Sequence, residues 1–136
     1  MQPDGARCYC GKRGCMETQL SLASLLEENE TAEDFFANVR LKEPSYLNRW
    51  NHFLTDLAKA VNLLHLIYDT DFILGGYIAQ YLCEEDLDFV HEKIKQMTPF
   101  SEEQDFLLIS KMPKHNISIG AALPYIQTFL NNIDMA

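Results

Sequence analysis

The chain has 136 residues, 47% of them hydrophobic, and a formal charge of −9 from 11 basic and 20 acidic residues. That length and apolar content suffice for one domain with a core. The acidic excess, with no basic stripe, argues against nucleic-acid contact by this chain, because phosphate backbones reward Lys and Arg.

No apolar run approaches the roughly 20 residues that span a bilayer, and no basic-then-apolar signal opens the sequence, so a cytoplasmic protein with no membrane partner is expected. In chain order the first feature is a loop with three thiols and two glycines, Cys8-Tyr9-Cys10-Gly11-Lys12-Arg13-Gly14-Cys15-Met16-Glu17. Cys-x-Cys-x4-Cys is a metal-ligand spacing: thiolate sulfur suits zinc, and the glycines let the backbone turn tightly enough to bring the sulfurs together. The plainer alternative is a set of free surface thiols. The fourth cysteine, Cys83, stands in an apolar stretch and is expected in the core, so the four do not form a disulfide framework, as suits a reducing compartment.

The loop is expected to run into a helix from Glu17, through Leu20, Leu22, Leu25 and Leu26. Thr31, with Glu33 and Asp34 behind it, reads as a cap and acidic first turn for a second helix carrying Phe35, Phe36 and Val39 and ending before Pro44. From Ser45 to about Tyr68, Leu47, Trp50, Leu54, Leu57, Val61, Leu64 and Tyr68 recur every three or four residues, the period of a long amphipathic helix. Phe72-Ile73-Leu74 is then a short buried strand closed by Gly75-Gly76. A helix from about Ile78 to Met97 and a second strand at Phe106–Ser110 complete a strand-helix-strand unit over about 71–110, for which a right-handed crossover is the rule. A last helix, around Ser118 to Leu130, contains Pro124, which predicts a kink or a late start.

The pattern Cys-x-Cys-Gly-x-x-Gly-Cys-x-Glu resembles the zinc signature of the ROK family, which comprises sugar-responsive repressors, sugar kinases and uncharacterised reading frames. Pro3-Asp4-Gly5, Asp71 to Gly76 and Gly120-Ala121-Ala122 resemble further family segments in the same order, and together they cover nearly the whole chain. The family's catalytic Asp, first phosphate loop, a sugar-binding Glu and a zinc-ligand His precede the part matched here. The resemblance therefore implies a single partial domain over 1–136, the C-terminal half of such a protein. Its fold would be a mostly helical α/β fragment with a short parallel two-stranded core, similar to the C-terminal lobe of the actin-like (RNase H-like) sugar-kinase fold.

The resemblance also implies roles. Cys8, Cys10 and Cys15 would hold zinc, with the family's fourth ligand upstream; His52, His65, His91 and His115 are the only histidines available here as substitutes. Glu17 would accept hydrogen bonds from sugar hydroxyls, or serve only as an acid at a helix N-terminus. Gly75 and Gly76 would lie against a nucleotide, or form a tight turn without a ligand. ROK kinases commonly have a third glycine where this chain has Tyr77, which tilts the reading toward a sugar-responsive regulator. The alternatives are one lobe of an ATP-dependent hexose kinase, in which the missing half supplies the base, or a truncated remnant; alone, the chain is not expected to be an enzyme. Expected partners are a second copy or a complementary N-terminal half, and a small sugar in the complete protein.

Overall fold

The computed structural model of the chain describes residues 4–98, 106–110 and 116–133. Pro3 and His115 lie outside the described residues. Two short helical turns, α1 (Glu17–Leu20) and α2 (Leu22–Leu25), follow the cysteine loop. They take the place of the continuous helix expected from Glu17. Ser21 adopts an extended backbone (φ −94°, ψ 155°), and its hydroxyl accepts the Ser24 N–H at 3.2 Å, so it caps a new turn and ends the old one.

Helix α3 (Ala32–Arg40) starts where the capping pattern predicts, with Thr31 Oγ1 accepting the Asp34 N–H at 3.1 Å. Helix α4 (Pro44–Tyr68) is 25 residues long, with proline in its first turn, where the missing N–H is not needed. It buries Trp50, Phe53, Leu54, Ala58 and Val61. The expected stripe thus supplies Trp50, Leu54 and Val61, whereas Tyr68 is 65% exposed at the helix end. Phe35, Phe36, Leu87, Val90, Ile94, Phe106 and Leu107 join the α4 residues in one core. Arg49 fastens the α2–α3 connection to α4: it reaches Glu27 at 2.7 Å and both oxygens of Glu30 at 2.8 and 2.7 Å, with its guanidinium over the rings of Phe35 and Tyr46.

Strands β1 (Phe72–Leu74) and β2 (Leu107–Ile109) pair in parallel, with Phe72 opposite Leu107 and Leu74 opposite Ile109. Phe72, Leu74, Leu107 and Ile109 belong to or pack against the core, while Ile73 and Leu108 alternate to the other face and are exposed. The two-stranded parallel core agrees with the sequence reading. The connection between the strands is less helical than expected, because Ile78–Gln80 is a single 3-10 turn and α5 (Glu84–Met97) begins only after Cys83.

Cys83 is exposed, which overturns its expected place in the core. It is the residue before α5, and its backbone N–H donates to Asp86 Oδ2 at 2.9 Å, as in a capping box. The other Asp86 oxygen accepts the buried Trp50 indole N–H at 2.7 Å, so one carboxylate both starts α5 and ties it to α4. Asp86→Ala is expected to destabilise the fold by about 1–3 kcal/mol, since it leaves the indole without an acceptor. Chemical denaturation measures this, and an unchanged midpoint would mean that Asp86 does not tie α5 to α4.

The last helix, α6 (Asn116–Ile133), starts earlier than expected and continues through Pro124. The early start rules out the late-start alternative for Pro124. Its side chains from Ser118 to Ile133 are all exposed, including Tyr125, Ile126, Phe129 and Leu130. None of its 18 residues is charged.

Candidate metal centre

The cysteine loop is shaped by its backbone. Arg7 and Arg13 form an isolated antiparallel bridge, and the Cys8 N–H donates to the Lys12 carbonyl at 2.8 Å. The Gly11 N–H donates to the Cys8 carbonyl at 2.9 Å, and the Gly14 N–H to the Ala6 carbonyl at 3.0 Å. Gly11 (φ +86°) and Gly14 (φ +64°) both occupy the left-handed region. A Cβ on Gly11 would meet nothing within 4 Å, so glycine is needed there for conformation and not for space. The Cys15 carbonyl accepts both the backbone N–H and the hydroxyl of Thr18, at 3.0 and 2.7 Å, which anchors the loop to α1.

This path brings the three sulfurs of Cys8, Cys10 and Cys15 within 4.8 Å of one another, with Cys10 and Cys15 3.5 Å apart. A tetrahedral ion with metal–sulfur bonds of about 2.3 Å sets its sulfurs about 3.8 Å apart, so the thiol donor set fits a soft or borderline metal ion. Cys8 is buried, Cys15 half-buried and Cys10 exposed. Arg7, Lys12 and Arg13 stand on the same loop, and their positive charges offset the negative charge that three thiolates bring to a divalent ion.

Among the described residues no fourth ligand-type side chain joins the group. His52 pairs with Asp56 at 3.5 Å, His65 stacks on Phe106 and contacts the Thr70 carbonyl at 3.2 Å, and His91 lies edge-on to Phe106. His52 and His65 are therefore engaged elsewhere, while His91 keeps a buried Nε2 without a hydrogen-bond partner and does not join the thiol group. Glu17 opens α1 two residues after Cys15 with its side chain exposed. Gly75 and Gly76 follow β1, and Gly76 has φ +77° with nothing within 4 Å of an added Cβ. The glycine pair lies in a different part of the chain from the thiols, at a bend leading to Tyr77.

Protonation differs among the thiols. The Lys12 backbone N–H, then hydrogen bonds from Cys15 and Cys8, hold Cys10 below the ordinary thiol range. Hydrogen bonding to Cys10, then to Cys8, pushes Cys15 up to about 11. At neutral pH Cys15 therefore carries a proton that a metal ion must displace. Because protons compete with metal for sulfur, apparent metal affinity is expected to rise with pH across the range below about 11 and to fall on acidification. Titration of the metal-free protein in two buffers of different ionisation enthalpy measures the protons released; release of none at pH 7 would contradict this.

A parallel strand pair backed by helices, with a trithiol loop ahead of them, defines a mostly helical α/β protein with a candidate metal centre. The ROK family model matches residues 1–127, and the chain belongs to the ROK family. Among solved structures it is similar to a ROK hexokinase from Thermus thermophilus, at 19% identity and a TM-score of 0.75, over 94% of this chain and 47% of that one. The chain thus spans about half the length of that hexokinase, and the fold is the same actin-like fold over that part. No curated protein matches the sequence. No helix among the described residues is long and apolar enough to cross a membrane.

Proposed function

We propose that the chain is the C-terminal half of a sugar-responsive ROK regulator, contributing a zinc-stiffened loop, one wall of a sugar site through Glu17, and an oligomer surface. Zinc is the metal best suited to three thiolates in a redox-inert structural role. In this reading Cys8, Cys10 and Cys15 hold the ion, a water or a ligand from the complementary half completes the tetrahedron, and the ion lends the loop rigidity. The exposed side chains Ile73 and Leu108 on the open face of the sheet are covered by that half or by a second copy, since parallel sheets are normally buried on both faces.

The observation that carries the regulator over the kinase is the environment of Gly75 and Gly76. Tyr77 occupies the position after the glycines, and its hydroxyl donates to Glu33 Oε1 at 3.0 Å. The Tyr81 hydroxyl reaches the same oxygen at 3.2 Å, while its ring stacks on Phe36 at 4.1 Å. Behind the glycines comes a 3-10 turn, and the first full helix opens with Glu84, Glu85 and Asp86. A helix N-terminus attracts phosphate through free N–H groups and its dipole, and three carboxylates there oppose a nucleotide. Calorimetric titration with Mg-ATP is expected to give no saturable binding tighter than about 1 mM, equivalent to about −4.1 kcal/mol. Saturable binding in the micromolar range would favour the lobe of a hexose kinase.

A further inference from the structure

We infer that Cys10 and Cys15 form an oxidative modification site, a thiol pair that peroxide converts to a disulfide when metal does not occupy the loop. The inference depends on the loop geometry and stands whether the complete protein is a regulator or a kinase. Of the three clustered sulfurs, Cys8 is only 6% exposed, with its backbone held by the Lys12 carbonyl, while Cys10 is exposed. A small oxidant from solvent therefore meets Cys10 first. The Cys15 sulfur lies 3.5 Å from it, already in contact, and must close by about 1.5 Å to reach a disulfide bond of about 2.05 Å.

The chain between them can follow that movement. Four residues separate the cysteines, so closure costs little loop entropy, and two of the four, Gly11 and Gly14, are glycines. A bond between Cys8 and Cys10 would instead require a cysteine pair separated by one residue to close a much smaller ring around the Cys8 side chain, which is buried. Both other pairings need the buried Cys8, so the geometry favours Cys10 with Cys15, whose sulfurs are 3.5 Å apart. Cys83, the remaining thiol, sits beside Asp86 on α5 and has no cysteine partner among the described residues.

The chemistry balances with hydrogen peroxide as the oxidant. The Cys10 thiolate attacks one peroxide oxygen, the O–O bond breaks, hydroxide leaves, and Cys10 becomes a sulfenic acid. The Cys15 sulfur, as thiolate, then attacks the Cys10 sulfur, the S–O bond breaks, and a second hydroxide leaves. Protons from the two thiols convert both hydroxides to water; two thiols are oxidised by two electrons and one peroxide is reduced to two waters. Oxidation consumes two of the three candidate metal ligands, so a loaded loop and an oxidised loop exclude each other.

The test uses the full chain, stripped of metal by chelator, treated with one equivalent of hydrogen peroxide, alkylated and mapped by mass spectrometry. The expected result is a loss of about 2 Da with two of the four thiols protected, Cys10 and Cys15, while Cys8 and Cys83 are alkylated. Dithiothreitol is expected to restore all four thiols. Protein preloaded with zinc should retain its thiols, or release zinc to a chromophoric chelator in step with their loss. Cys10→Ser should abolish the intramolecular disulfide, and Cys83→Ser should leave it unchanged. A bond to Cys8, direct passage to sulfinic acid, or four alkylatable thiols after treatment would overturn the inference.

Discussion

Phe36→Ala is expected to destabilise the protein by about 3–5 kcal/mol, the usual cost of removing a buried aromatic ring. Phe36 is 3% exposed and sits at the junction of three other rings. It meets Phe35 and Trp50 edge-on, each with centroids 5.0 Å apart, and stacks on Tyr81 at 4.1 Å. Those contacts link α3, α4 and the segment before α5, so alanine there leaves a cavity that no single element can collapse to fill. A domain of this kind is stable by only about 5–15 kcal/mol, and the variant is expected to lie near the limit of folding. Urea unfolding followed by the fluorescence of Trp50 measures the loss. A change below about 1 kcal/mol would mean that the ring cluster does not hold α3 to the core.

Cys8→Ser is expected to lower metal affinity by more than about 100-fold, beyond the usual cost of losing an outer-shell partner of a ligand. A serine hydroxyl remains protonated at neutral pH and is a poor donor to a thiophilic ion. The effect should be confined to metal binding, because Cys8 lies outside the main core cluster. Cys83→Ser is the control, being exposed and on a different element from the loop. Competition against a chromophoric chelator gives both affinities. Equal affinities for the Cys8 variant and the unmodified chain would remove Cys8 from the ligand set.

Local chemistry explains what could be read from the residues. The cysteine loop was legible because ligand spacing and left-handed glycines are properties of ten consecutive residues, and the structure brings those same sulfurs together. The same holds for Thr31, whose capping role is set within three residues, and for α4, whose long periodic stripe leaves little ambiguity. Phe72–Leu74 was legible as a short apolar run closed by glycines, and the run Phe106–Ser110 contains the second strand, Leu107–Ile109.

What escaped the reading depends on choices between competing local structures or on distant partners. Ser21 is tolerable inside a helix, yet its hydroxyl can cap a new turn, and the backbone takes the second option. Cys83 resembles a core thiol when only its apolar neighbours Tyr81 and Leu82 are considered. The three acids that follow it mark a helix start, which places Cys83 outside. Asp86 could be seen as an acid in a first turn, but its bond to Trp50, 36 residues earlier, comes only from the packing of α4 on α5. The last helix was legible from its apolar residues, but its start at Asn116 and its passage through Pro124 were not.

The proposal places a working zinc site on Cys8, Cys10 and Cys15. Elemental analysis of protein purified without chelator or added metal tests it most directly. About one zinc per chain is expected, held by three thiolates with the fourth position open to water. A folded sample free of zinc, and unable to take it up under reducing conditions, would leave the loop as a set of clustered thiols with no metal role.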